Sequence, residues 1–451
     1  MKEEIKELLT SKKFREAKIF LSDKQIVDIA DSIKDFDIDE IAQIIRLLTK
    51  DMAADLFSEL PLSVETELLS KLTDKEAVNI INEMFADDAA DVLDEMPANI
   101  VKRLLKQCDK DTRSDINRLL NYPEESAGSV MTVEYAELKD TLTIKQAISI
   151  LRKEINEYET INVCYVVNDQ RRLIGHISLK DILLANSDDL VSDVYVRDII
   201  CVKTTTDQEE VGKLFKKYDL TVMPVVDSED RLVGIITIDD IMDIMEEEAT
   251  EDIEKMAAIS PSDKPYLEIS VWQTWKARIP WLLLLMISAT FTGQIINKFE
   301  SALAILPVLT AYIPMLMDTG GNAGSQASVT IIRSLSLNQV SFKDIGKVIW
   351  KELRVSIIVG FTLACANFAK LIFIDKMLLN NTLVTYQVAG VICLTIFMIV
   401  IVAKFIGCTL PVLTKKLGFD PTVMASPFIT TIVDALGLIV YFQVATHLLA
   451  I

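Results

Sequence analysis

The chain has 451 residues, half of them hydrophobic, and a formal net charge of −20. That charge is unevenly placed: of 46 Lys/Arg and 66 Asp/Glu, residues 271–451 hold 13 and 7, which leaves 33 and 59, a balance of −26, for residues 1–270. So acidic a front portion excludes nucleic acid and anionic membrane surfaces as partners and suits cations. Two histidines (His176 and His447) and six scattered cysteines without CxxC spacing argue against a histidine or thiolate metal centre. Any metal is expected to be hard and oxygen-liganded, and the cysteines to be reduced packing residues.

The opening KEEIKELLTSKKFREAKIFL is polar and amphipathic, without the apolar core of a secretory leader, so none is expected. From about 25 to 120 a short helical motif recurs. MAADLFSELP (52–61) and DAADVLDEMP (88–97) stand 36 residues apart, with VETELLSKL and EAVNIINEM between them at intermediate multiples of 12 and IAQIIRLL (41–48) and IADSIKDF (29–36) upstream in the same register. Units of two to three turns cannot bury an apolar stripe alone and must stack. Residues 1–125 are therefore read as an acidic helical-repeat N-domain with a superhelical arrangement.

Two copies of another pattern follow, at 126–190 and 191–245. Their tightest match is CYVVNDQRRLIGHISLKDI against MPVVDSEDRLVGIITIDDI. Each reads as an amphipathic helix, a β-branched strand, a polar turn, a second strand and a helix starting near an Asp. These copies resemble a tandem pair of α+β CBS domains, β-α-β-β-α modules that often bind adenine nucleotides. Each carries a hydroxyl-x-x-Asp in the same place, Ser178/Asp181 and Thr237/Asp240. The resemblance implies that the Asp receives a ribose and the hydroxyl lies near phosphate, with ATP the expected regulator. The plainer reading is that Ser178 and Thr237 cap the following helix.

Residues 246–275 read as an acidic connecting helix and its exit. Glu247/Glu251 and Glu248/Asp252 lie at i,i+4, so like charges share a face and destabilise the helix unless a cation or positive partner sits against it.

Residues 276–451 read as an α-helical membrane domain with five spans, near 279–297, 303–332, 348–373, 383–413 and 421–449. Arg333, Lys343, Lys347, Lys351, Arg354, Lys415 and Lys416 lie in connections that alternate with sparsely basic ones. The positive-inside rule puts those connections and the N-terminus in the cytoplasm, and an odd span count puts the C-terminus outside. The expected location is the cell inner (plasma) membrane.

Two features of these spans carry chemistry. The second contains PMLMDTGGNAGSQASVTIIRSL (314–335), with Gly320, Gly321 and Gly324 among polar Asp318, Asn322, Ser325 and Gln326. Glycines there permit close helix approach or a local break that would bare carbonyl ligands. The last span contains Asp434, which at ~1.5 Å per residue lies roughly 20 Å in from Pro421, near the bilayer midplane. A carboxylate at that depth costs ~2.5–3.5 kcal/mol and normally faces a bundle interior or aqueous path. No lysine or arginine within its own segment can pair with it.

The order of an acidic helical N-domain, paired CBS domains, an acidic helix and a five-span domain resembles the MgtE family of magnesium channels. PMLMDTGGNAGSQ and DPTVMASPFITTIVDALG are similar to that family's signature sequences. The resemblance implies a Mg²⁺-selective channel for magnesium uptake, a homodimer with its pore on the two-fold axis, and no enzyme activity. It assigns Asp434 to the pore, binding hydrated Mg²⁺, with Ser426, Pro427, Asn322 and Asp318 lining it. Some members carry Asn where this chain has Ser426. Regulatory Mg²⁺ would be sensed by Asp87, Asp88 and Asp91, by Glu209, Asp219, Asp240 and Asp243, and by Glu248, Glu251 and Asp252 on the connecting, or plug, helix. The alternative is an ion-coupled transporter of divalent cations with Asp318, Asp434 and Lys404 as its relay.

Overall fold

The computed structural model describes every residue except 263–265, 268, 425 and 450–451, and divides into two compact units, Met1–Glu246 and Glu247–Ile451. The first unit begins with helices of 8–10 residues whose starts recur every 12 residues: Ile26, Ile38, Lys50, Leu62, Asp74, Ala86, Ala98 and Lys110. Each packs mainly on the next helix but one. The breaks between them are set by local chemistry. Asp37 with Glu40 and Thr73 with Glu76 form reciprocal capping boxes, each cap worth ~1 kcal/mol.

Two three-stranded sheets follow, β1 (Tyr135–Lys139), β2 (Thr160–Val167) and β3 (Leu173–Ser178), then β4 (Val202–Lys203), β5 (Val222–Val226) and β6 (Leu232–Thr237). Both have a parallel first pair and an antiparallel second pair, with Val163 opposite Ser178 in one and Val222 opposite Thr237 in the other. The repeated β-α-β-β-α order read from the sequence is thus the observed one. The repeat helices share one core with the second copy through Val211, Phe215, Met223 and Ile236, while the first copy has its own core around Leu138, Cys164 and Ile177. The Arg118 guanidinium donates to the Val233 carbonyl at 3.1 Å, and the Ala86 amide donates to Glu134 Oε1 at 3.2 Å, joining repeats and sheets.

The second unit is helical. Among the described residues four stretches are long and apolar enough to cross a membrane: Val271–Lys298, Phe342–Leu378, Tyr386–Lys416 and Ser426–Leu449. The fifth expected span, 303–332, does not qualify by that measure. Its residues form the short helices Glu300–Ile305 and Pro307–Tyr312 and then the 24-residue helix Ile313–Ser336, whose Asp, Asn, Gln and Ser residues hold down its hydropathy. Of the two readings of the glycines, close approach or a local break, the break is absent, because Ile313–Ser336 is one continuous helix. Its glycine face instead packs on Tyr386–Lys416 and Ser426–Leu449 around a core of Ile392, Ile399, Val433 and Tyr441. All six cysteines are unpaired; Cys108, Cys164, Cys393 and Cys408 are buried, whereas Cys201 and Cys365 are exposed.

Helix Ile238–Met256 is 19 residues long, and the boundary between the two units falls inside it. It contains the expected acidic face, but starts eight residues earlier than the connecting segment read from sequence, because its first turn is the helix that closes the second β-α-β-β-α copy.

Candidate functional site

Asp434 is placed by close packing. A Cβ on Gly324 would lie 2.9 Å from Ile429 Cγ2, and one on Gly321 would lie 2.8 Å from Thr430 Cγ2, so only glycine lets Ile313–Ser336 approach the Asp434 helix this closely. Asp434 is half-buried, and its Oδ1 is buried without a hydrogen-bond partner. Asp318, Asn322 and Gln326, at i, i+4 and i+8 on Ile313–Ser336, are all exposed on the single chain. One stripe of this helix is therefore polar at membrane depth. At the opposite end of the contact the Ser426 hydroxyl donates to Ser325 Oγ at 2.8 Å, and the half-buried Pro427 follows it.

The supposed relay residue Lys404 is occupied elsewhere. Its ammonium lies 3.5 Å from Glu352 Oε2, both side chains being almost fully buried.

In the first unit the FADDAAD stretch starts the helix Ala86–Asp94, where burial, Asp88, Asp240 and Glu134 push the Asp87 carboxyl well above its usual range. One Asp87 oxygen is buried and unbonded. Burial likewise raises Asp88 and Asp240, although Asp240 also accepts a hydrogen bond from the Thr237 hydroxyl. Asp243 is exposed and acts on Glu59, and Asp91 acts on Glu65. The structure thus gathers Asp87, Asp88, Asp91, Asp240 and Asp243 in one electrostatic neighbourhood. Glu209 pairs with Lys213 at 2.6 Å, and Asp219 is an exposed left-handed cap of the same helix. Among the described residues no three His, Cys, Asp or Glu side chains are arranged to hold a metal. The neighbourhood is an acidic field, not a preformed cage.

Several members were not singled out from sequence. Glu65 is 4% exposed, and burial, with Asp88 and Asp91, pushes its carboxyl up to about 9. Burial, then Asp240, Asp239, Asp88 and Glu134, push Glu159 up to about 7. Glu134 accepts from the Thr132 hydroxyl at 2.7 Å and from the Val133 and Ala86 amides. A signal for Glu65 exists. At the fourth position of the six repeat helices from Ile26 to Ala86 stand Ile29, Ile41, Ala53, Glu65, Ala77 and Ala89, all buried, with Glu65 the one charged residue of these six; in the last two helices the position holds the half-buried Val101 and Arg113.

The hydroxyl–Asp pairs are internally bonded. Ser178 caps the helix Leu179–Leu184, accepting from the Asp181 amide at 3.1 Å and donating to Asp181 Oδ2 at 2.5 Å, as Thr237 does to Asp240. The plainer capping reading therefore holds for Ser178. On the acidic helix Glu248 is half-buried, Glu251 pairs with Lys255, and Asp252 accepts from the Ser336 hydroxyl at 3.4 Å.

Comparison with known proteins aligns with this layout. Residues 24–125 match the MgtE intracellular N domain, 127–188 and 191–247 the CBS domain, and 313–444 the divalent cation transporter family MgtE. The magnesium transporter MgtE of Thermus thermophilus is 37% identical over 348 residues, 77% of this chain and 75% of that protein. The Bacillus subtilis magnesium transporter MgtE is 35% identical over 73% of this chain and 71% of its own length. A crystal structure of the cytosolic domain of the Mg²⁺ channel MgtE in complex with ATP superposes with a TM-score of 0.52 at 33% identity, covering 54% of this chain and all of that one.

Proposed function

This chain belongs to the MgtE family of magnesium transporters, and from that premise we propose that it is a Mg²⁺ channel for magnesium uptake, closed by the ion it carries. The carrying observation is the exposed polar stripe Asp318–Asn322–Gln326 beside the unpartnered Asp434 oxygen. Polar surface at membrane depth must meet water or protein. A homodimer with this stripe at its two-fold axis, and five spans counting Ile313–Ser336, provides both, with the C-terminus outside.

Mg²⁺ gives up its waters reluctantly and requires near-octahedral oxygen. One carboxylate per chain cannot build a dehydrating cage. Two Asp434 side chains across the axis attract the hydrated ion through its water shell, with Asp318, Asn322, Ser426 and Pro427 lining its path. Binding of that kind is weak enough to release.

Regulation falls to the acidic residues. The residues that would sense the ion are Asp87, Asp88, Asp91, Glu209, Asp219, Asp240 and Asp243, with Glu248, Glu251 and Asp252 on the plug helix; the Asp88 and Asp240 carboxylates repel that of Asp87, whereas Glu209 and Glu251 already face Lys213 and Lys255. Mg²⁺ relieves that repulsion and favours the compact, closed state by its higher affinity for it. The raised carboxyls of Asp87, Asp88 and Asp240 support this reading. ATP acts as regulator at the CBS pair through Ser178, Asp181, Thr237 and Asp240, a reading supported by the relative's ATP complex. The ion-coupled alternative is weakened because Lys404 is paired with Glu352. Patch recordings test the channel: open probability falls from low to millimolar internal Mg²⁺, and equal values at both would sink the feedback reading.

A further inference from the structure

The last turn of the acidic helix Ile238–Met256 carries a lysine. Lys255 reaches one turn back to the Glu251 carboxylate and forward to Asp420 Oδ2 at 3.2 Å. Asp420 lies in the connection that enters the Asp434 helix, and its other oxygen accepts the Thr422 amide at 2.8 Å. The side chains of Lys255, Glu251 and Asp420 retain only 28%, 27% and 37% of their exposure, so solvent screens this triad less than a surface pair. Burial by itself would lower the Lys255 ammonium, yet Glu251 and Asp420 outweigh it and raise it; burial would raise Asp420, yet Thr422 and Lys255 hold it below the usual range. Adjacent contacts fix the same end of the helix. The Ser262 amide donates to Glu254 Oε2 at 3.1 Å, and the Ser260 amide donates to the Ala277 carbonyl at 3.0 Å.

We propose that Lys255 is a positioning residue, a built-in cation that fastens the end of the acidic helix to Asp420, at the entry to the Asp434 helix, without a divalent ion. A covalently attached charge keeps the same local concentration whatever the Mg²⁺ level, so this junction stays closed when the ion is withdrawn. Glu251 then answers to Lys255, and the response to Mg²⁺ resides in the Asp87–Asp88–Asp240 neighbourhood. This deepens the gating reading and rests on it for its functional meaning, but the fastening itself is measurable without transport.

Hydrogen exchange on the full-length protein in nanodiscs, followed in peptides covering 250–262 and 415–424, tests it with wild type, Lys255→Met and Lys255→Arg, each in EDTA. Wild type and Lys255→Arg are expected to exchange slowly. Lys255→Met is expected to exchange about tenfold faster there, equivalent to ~1.4 kcal/mol, with β1–β6 unchanged as a control for folding. Equal protection of Lys255→Met and wild type in EDTA would overturn the proposal, as would wild type losing protection as fully as the variant. A channel that ignores internal Mg²⁺ while Lys255 still protects these peptides would count against the feedback reading alone.

Discussion

Ser426 donates its hydroxyl proton to Ser325 across 2.8 Å, tying the first turn of the Asp434 helix to the glycine-bearing helix Ile313–Ser336. Below that bond the two helices touch through Gly321 and Gly324. The hydrogen bond sets the register of the two helices and the glycines their separation, and Asp434 is positioned by both.

Gly324→Leu is expected to be far more damaging than Ser426→Ala. Any side chain at 324 meets Ile429 and the Ala403 carbonyl, and overpacking a close contact costs ~1–3 kcal/mol or more. Loss of one neutral hydrogen bond costs ~0.5–1.5 kcal/mol. Thermal unfolding in detergent should rank the variants wild type, Ser426→Ala, Gly324→Leu in falling order.

The buried Lys404–Glu352 pair gives a second contrast. Lys404→Met leaves Glu352 as an uncompensated buried charge and is expected to destabilise by ~3–5 kcal/mol. The double variant Lys404→Met/Glu352→Leu should recover most of that loss, because an apolar pair replaces a charged one at little cost. Additive losses in a double-mutant cycle would show that the two side chains do not interact.

The acidic neighbourhood makes stability depend on pH in a defined direction. Glu159 and Glu65 titrate near 7 and 9 in the fold, both above the unfolded value of 4.5. The folded state therefore binds the extra protons, and its advantage is complete below about 4.5 and lost as pH rises through the folded values. In EDTA the first unit should lose hydrogen-exchange protection between about pH 5 and 9. Mg²⁺ should restore it at the alkaline end, and Asp88→Asn, which removes a charge acting on both Glu159 and Glu65, should reduce both effects.

The sequence made much of this legible, for physical reasons. A 12-residue period is visible because each short helix needs the same apolar positions to stack, and the structure starts helices at that interval. A doubled hydroxyl-x-x-Asp is visible because in both copies the hydroxyl bonds the Asp carboxylate at the start of the closing helix. Asp434 stands out because a lone carboxylate in an apolar run is costly. Less legible were partners distant in sequence: Lys404 with Glu352, Lys255 with Asp420, and Glu134 and Glu159 with the Asp87 helix. Carboxylates are hard to rank from sequence for a related reason. In an acidic chain the sequence does not distinguish a residue such as Glu209, paired with Lys213 one turn away, from one such as Asp87, with one oxygen buried and unbonded.

The central claim is that Asp434 draws hydrated Mg²⁺ into the pore. Liposomes containing the purified protein, loaded with a Mg²⁺-sensitive dye, test it directly by comparing wild type with Asp434→Asn, an uncharged side chain of the same size. The account predicts rapid uptake by wild type and near-background uptake by the variant, with unchanged thermal stability. Selective Mg²⁺ flux retained by Asp434→Asn at the wild-type rate would contradict it.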